Sequence, residues 1–317
     1  MTTPTPPATA IDMRVALGPL LLKNPVVTAS GTFGYGGEFE GFLDLGALGG
    51  IAVKGLTLEP RAGNPPPRVA ETPAGMLNAI GLENVGCRAF IAEKLPHLRG
   101  LDTAVIANIS GFTVDEYAQM AGMLAEADGV AAIEINVSCP NIKVGGIAFG
   151  SRPETIGEIT RAVRGAAPTT PLLVKLSPHV SDIVAVARAA MEGGADALSI
   201  TNTFLGLAID AERRRPVLGN VTGGLSGPAI KPLALRLVWD VHRALPDVPI
   251  CGMGGIMSGT DAVEFLLAGA SAVAVGTASL ITPTAAVDVL HGIETHCRRH
   301  GVNAVRELIG ALEAPPA

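Results

Sequence analysis

Eight short apolar segments, separated by longer helical patterns, constrain the fold of this chain more than any other feature. They lie at residues 26–30, 50–54, 103–109, 131–137, 172–176, 197–201, 248–252 and 271–275, and are built from Val, Ile, Leu and Ala. Runs of this length and branching suit strands buried on both faces, as in a parallel sheet. Between them, residues 114–127, 153–166, 180–193, 229–245, 259–268 and 284–300 read as helices, several with Pro, Ser or Asp near the start and Gly at the end. Eight strands alternating with helices predict an α/β protein of the (β/α)₈ TIM-barrel class. The rival architecture, an open doubly wound sheet holding a dinucleotide, would show G-x-G-x-x-G after a strand. The nearest approaches, Gly34-Tyr-Gly36 and Gly252-Met-Gly254, carry Phe39 and Met257 where the third glycine belongs.

The flanks and the long loops refine this picture. Residues 13–17 and 20–23 surround Gly18-Pro19 and read as an N-terminal hairpin. Residues 1–12 and 313–317 are rich in Thr, Pro and Ala and are expected to be disordered tails, leaving 13–312 as a single barrel domain. Segments 55–84 and 202–228 are too long for plain strand-to-helix loops. Both follow strands, so both are expected as insertions covering the carboxyl-end face, where barrels keep their chemistry.

Charge and cysteine usage exclude several function classes. A net charge of −6 gives no basic face for a nucleic acid, and the runs Arg213-Arg214-Arg215 and Arg298-Arg299 are short enough to be surface. No stretch approaches the ~20 apolar residues of a membrane span. Cys87, Cys139, Cys251 and Cys297 stand far apart without C-x-x-C, which argues against disulfides or a metal centre and for a reducing, cytoplasmic setting. His296 and His300 lie beside two arginines and read as helix surface, so no metal is assigned.

Residues capable of chemistry gather at strand ends. Gly254 and Gly255 follow the seventh strand, and Gly276 and Thr277 follow the eighth. Glycines let backbone N–H groups approach an anion, a following helix adds the positive end of its dipole, and these two loops are the customary phosphate site of barrels. The plainer alternative is that they only turn the chain. Around the fourth strand, Asn136, Ser138 and Asn141 surround Cys139, and such polar company favours a thiolate base or nucleophile. The alternative for Cys139 is a small buried hydrophobe, the reading kept for the other three cysteines. Lys54 and Lys175 end apolar strands, where a lysine must face a ligand or an acid such as Glu134. Asn108, Asn136 and Asn202 also follow apolar strands and suit a planar ligand with both donors and acceptors.

With these residues in view, the chain resembles the catalytic subunit of class 1B dihydroorotate dehydrogenases. The likeness rests on Asn24-Pro-Val-Val-Thr-Ala-Ser-Gly-Thr-Phe-Gly34, Gly63-Asn-Pro-Pro-Pro-Arg68, Asn78-Ala-Ile-Gly-Leu82, Asn136-Val-Ser-Cys-Pro-Asn141, Gly224-Leu-Ser-Gly-Pro228 and the two phosphate loops. The resemblance implies one FMN per chain, lined by Ser30, Lys54, Gly55, Asn108, Asn136, Lys175, Thr201, Gly227, Gly254, Gly255, Gly276 and Thr277. It implies that Lys54, Asn78, Ala79, Ile80, Gly81, Leu82, Asn136, Asn202 and Thr203 hold dihydroorotate. Thr201 stands where relatives are expected to be aliphatic, so its contact would run through backbone.

By the same resemblance, Cys139 takes a proton from C5 of dihydroorotate while C6 delivers hydride to the flavin, and Lys175 stabilises the charge of the reduced ring. The product, orotate, leads to UMP. Class 1B implies a homodimer within a heterotetramer, its partner subunit carrying FAD and [2Fe–2S] and reducing NAD⁺. The runner-up is a class 1A homodimer using fumarate. Readings from other classes are a Schiff-base aldolase barrel with Lys54 or Lys175 as nucleophile, and a phosphate-binding barrel without catalysis.

Overall fold

The computed structural model describes residues 10–137, 143–144, 147–148, 152–313 and 315. The eight apolar segments become β1 (Val26–Thr28), β2 (Gly50–Ala52), β3 (Ala104–Ile109), β4 (Ala132–Asn136), β5 (Leu172–Lys175), β6 (Ala197–Ile200), β7 (Ile250–Met253) and β8 (Ala272–Val275). Each pairs in parallel with its neighbours in chain order, and β8 pairs with β1 to close a barrel. Closure leaves no strand edge, and helices bury the outer face. These include Val114–Ala125, Pro153–Ala166, Ile183–Glu192, Lys231–Ala244, Gly259–Leu267 and Ala285–His300. Side-chain caps start several of them: Thr113 accepts from the Glu116 amide, Asp182 from Val184 and Ala185, and Ser258 from Asp261. Gly301, in the left-handed conformation, ends the last.

Register decides which side chains share a level inside the barrel. Asn108 pairs with Glu134, Asn136 with Lys175, Lys175 with Ser199, and Ser199 with Cys251. The same ladders continue from Cys251 to Ala272, and from Ala274 through Val27 and Gly50. One half of the interior, β3 to β6, is therefore lined by polar side chains, and the other half by Gly, Ala and Val, with Cys251 and Met253 on β7. Because full burial of a Val, Leu or Ile contributes roughly 1.5–3 kcal/mol, the outward Val and Ile of every strand sustain this arrangement.

The two long insertions pair with each other. Strands Val69–Thr72 and Gly75–Asn78 join Phe204–Leu207 and Thr222–Ser226 in a four-stranded antiparallel sheet, with Thr222–Ser226 beside both Gly75–Asn78 and Phe204–Leu207. Leu77, Ala79 and Leu218 form a small core of their own beneath it. Close approach is needed here: a Cβ on Gly75 would collide with the Ser226 carbonyl, and one on Gly223 would lie 2.6 Å from the Asn78 oxygen.

At the opposite end, the hairpin Val15–Leu17 and Leu20–Leu22 turns at Gly18 (φ +61°) and buries Leu17, Leu20 and Leu22. The chain is tied in ahead of Met13, the expected domain start: Asp12 bridges to Ala304 and pairs with Arg306. A helix at Cys87–Leu98 was not foreseen, and its middle, Phe90–Lys94, takes the wider π spacing just before Pro96. Proline lacks the N–H that regular α-helical bonding would use there. No helix among the described residues is long and apolar enough to cross a membrane.

Candidate active site

The polar half of the interior converges on one carboxylate. Glu134, 3% exposed, accepts a 2.6 Å hydrogen bond from Asn108 Nδ2 on one oxygen and a 2.6 Å bond from Ser199 Oγ on the other. Lys175, 5% exposed, places its ammonium 3.9 Å from the same carboxylate. Of the two expectations for Lys175, ligand or acid, the acid is present. At 3.9 Å the contact is coulombic rather than a hydrogen bond, so the ammonium keeps its donors for another group. Asn108 Oδ1 is buried without a partner among the described residues, and Gly55 lies so near that a Cβ there would be 2.9 Å from it. An orphaned buried acceptor beside an open-handed ammonium fits a ring that presents an N–H and gathers negative charge.

At the rim above this layer, Asn202 Nδ2 donates to Asn136 Oδ1 at 3.3 Å, and Asn202 Oδ1 accepts from the Thr203 amide. Tyr117 anchors β4 from outside by donating to the Asn136 carbonyl at 2.7 Å. Thr201 is buried, its amide bonded to the Met253 carbonyl and its hydroxyl to the Leu176 carbonyl. A backbone contact from Thr201 to a ligand therefore has only its own carbonyl left to use.

Lys54 stands two residues beyond Ala52, at the end of β2. Its amide donates to the Gly34 carbonyl, while Ser30 Oγ donates to the Val53 carbonyl and holds the ends of β1 and β2 together. Burial pushes the Lys54 pKa below its usual value, Glu83 opposing that shift and Arg68 adding to it. Arg68 and Glu83 form an ion pair of their own.

The other half contributes backbone. Gly254 (φ +130°) and Gly255 (φ +75°) leave β7 in conformations that L side chains rarely adopt. A Cβ on Gly255 would lie 2.8 Å from the Gly227 carbonyl, and one on Gly227 would lie 2.7 Å from Gly75 Cα. After β8, Gly276 leads into Thr277, whose hydroxyl donates to Ser226 at 2.8 Å. The four glycines and Thr277 thus gather beneath the insertion sheet. Gly276 leads into Thr277–Ile281, a helix of only five residues, so close backbone approach rather than a long dipole defines this end of the cradle.

The run from Asn78 to Leu82 lines the same opening. Asn78 Nδ2 donates to the Gly224 carbonyl at 3.3 Å, Asn64 bonds the Ala79 and Ile80 carbonyls, and Gly81 has φ +76°. Leu82, itself at φ +56°, comes within 3.7 Å of where a Gly55 Cβ would stand. Thr203 packs against Gly224, which joins the Asn136–Asn202 rim to the insertion sheet.

Cys139, Ser138 and Asn141 lie outside the described residues. Cys87, Cys251 and Cys297 are buried free thiols. Burial raises the Cys87 pKa to about 11 and that of Cys251 further still, Glu134 adding to the latter. Sequence reasoning missed Ser199, Ser226 and Tyr117. A serine inside the apolar strand Ala197–Ile200 was the available signal for the first.

Comparison with known proteins places this site in a family. The model of the dihydroorotate dehydrogenase family matches residues 13–296. A protein of Pelobacter propionicus named dihydroorotate dehydrogenase B (NAD(+)), catalytic subunit, is 58% identical over 302 residues, which is 95% of this chain and 99% of that one. Its namesakes from Trichlorobacter lovleyi and Bacteroides thetaiotaomicron are 58% and 53% identical, each over 95% of this chain and over 98% and 99% of their own lengths. A barrel with this rim and a match of such extent lead to one conclusion: the chain belongs to the dihydroorotate dehydrogenase family.

Proposed function

We propose that this chain oxidises (S)-dihydroorotate to orotate, in the route to UMP, as the catalytic subunit of an NAD⁺-linked enzyme. The observation that carries the reading is the meeting, at one end of the barrel, of Lys54, Asn108, Asn136, Lys175 and Asn202 with the Gly227, Gly254, Gly255 and Gly276 cradle. FMN is the group we assign to this end, and when bound it supplies the two-electron acceptor. The cradle and Thr277 would hold its phosphate, and the orphaned Asn108 acceptor and Lys175 would face its ring.

Substrate binding falls to the remaining residues. Lys54 pairs with the substrate carboxylate, while Asn78, Asn136 and Asn202 answer the ring amides with donors and acceptors, and Thr203 and the 79–82 backbone close the pocket. Cys139 takes the C5 proton. The insertion sheet excludes water above the ring, so the lysine charges act at low effective dielectric.

The NAD(+) in the relatives' names favours passage of electrons to a partner over direct use of fumarate. This chain has no dinucleotide fingerprint, so we place FAD and [2Fe–2S] on a partner subunit, in the cytoplasm. A second copy of this chain is expected to cover the exposed Leu205 and Leu207 of the insertion sheet and Ile209 just after them, giving a homodimer inside a heterotetramer.

Acid precipitation tests the reading: it should release a yellow flavin bearing a single phosphate, and dihydroorotate should bleach the holoprotein without air. Release of FAD would overturn it. A colourless protein, made with ample riboflavin, would redirect it to Schiff-base chemistry.

A further inference from the structure

Glu134 is the only acid in the polar layer that β3 to β6 form among the described residues, and no step of the proposed reaction requires it. Its two oxygens are held by partners on different strands, Asn108 on β3 and Ser199 on β6, each at 2.6 Å. Two such short bonds, from partners on different strands, fix the carboxylate in place. Two consequences follow for its neighbours. Because Asn108 spends its Nδ2 on Glu134, its carbonyl oxygen is turned the other way, buried and without a partner among the described residues, toward Gly55. Because the carboxylate stands 3.9 Å from the Lys175 ammonium, it offsets part of that cation's field.

We propose that Glu134, held by Ser199, is the positioning residue of the flavin site: it aims the Asn108 acceptor at an N–H of the ring and tempers the charge Lys175 presents to it. The proposal rests on the FMN reading above. It assigns Glu134 two separable effects, one through geometry on flavin affinity and one through charge on the preference for reduced over oxidised flavin. An uncompensated lysine would favour the reduced, more negative ring, so Glu134 holds that preference down.

Two substitutions separate the effects. Glu134→Gln preserves the shape and an acceptor for Asn108 but removes the charge. Ser199→Ala keeps the charge but frees one oxygen. The measurements are titration of apoprotein with FMN, the ratio of affinities for reduced and oxidised FMN obtained from the midpoint potential, and the Tm of each apoprotein.

Glu134→Gln should bind FMN nearly as well as the parent yet shift the reduced-to-oxidised preference about tenfold toward reduced, as expected for loss of one nearby charge. Ser199→Ala should weaken FMN binding several-fold, with the preference unchanged. An unchanged preference in a folded Glu134→Gln protein would overturn the charge role. Parent FMN affinity in Ser199→Ala would overturn the positioning role, and it remains decisive if Glu134→Gln does not fold. A parent apoprotein that takes up no FMN would instead sink the functional reading, and this inference with it.

Discussion

The two halves of the barrel interior are built of opposite materials, which fits the opposite jobs we propose for them. From β3 to β6 the lining is side-chain chemistry: Asn108, Glu134, Lys175 and Ser199 at one level, Asn136 and Asn202 at the rim. From β7 round to β2 it is space and backbone: Gly254, Gly255, Gly276, Ala272, Ala274, Gly50 and Ala52. A planar ring with a phosphate tail needs both, charged and amide groups at its reactive face and a close, side-chain-free approach at its anchor. Damage to one half should therefore impair chemistry with the ligand in place, and damage to the other should lose the ligand.

The hardest test of that division is Cys139→Ala, since the residue follows β4 in the sequence. The variant should retain FMN and bind orotate, yet its flavin should be reduced by dihydroorotate ~10²–10⁴-fold more slowly, the usual worth of a general base. Anaerobic single-turnover bleaching measures this step apart from any partner. Bleaching at the parent rate would leave Cys139 a packing residue.

On the anchoring side, Gly255→Ala should do the reverse. A left-handed backbone costs a side chain roughly 1–2 kcal/mol; where the free loop relaxes and must return to this shape to bind, FMN affinity should fall about 5- to 30-fold, and further if the 2.8 Å approach to Gly227 is not relieved. Protein reloaded with excess FMN should then bleach near the parent rate. Slow bleaching in fully loaded protein would break the division of labour.

The lysines sharpen it further, because they flank the divide. Lys175→Ala should mainly harm flavin retention and reduction, whereas Lys54→Ala should weaken both flavin and orotate. Burial depresses the Lys54 pKa, so its charge is lost earlier than usual as pH rises. Orotate affinity should therefore fall with rising pH across that depressed pKa, and the Lys54→Ala protein should not show the step. Stability has the opposite sign: between the folded and the higher unfolded pKa the unfolded chain holds more protons, so stability rises with pH. Identical pH profiles for parent and variant would remove Lys54 from the substrate site.

The smallest effect is expected at the buried thiols. With pKa values raised by burial, Cys87, Cys251 and Cys297 should resist alkylation in the native protein near neutral pH, and Cys251→Ala should reduce its flavin at the parent rate. Alkylation of Cys251 before denaturation would mean that the barrel interior is open to solvent.

Local pattern alone determined the eight strands, the helices at 114–125 and 153–166, the hairpin and the two glycine loops. Each is written in a few consecutive residues whose burial or backbone freedom is the same wherever the segment goes. Lys54, Lys175 and the three asparagines were visible for the same reason, as polar groups at the ends of apolar runs. Tertiary structure decided the rest. The insertion sheet exists only because Asn78 meets Gly224 and Leu77 meets Leu225, about 150 residues apart in a pairing that no local period announces. Glu134 and Ser199 likewise meet through strand register, and whether Lys175 faced an acid or a ligand depended on it. A one-residue slip would have turned those side chains outward. Hydrophobic spacing records which face of a strand is buried, but the identity of the group across the barrel is settled only when the barrel closes.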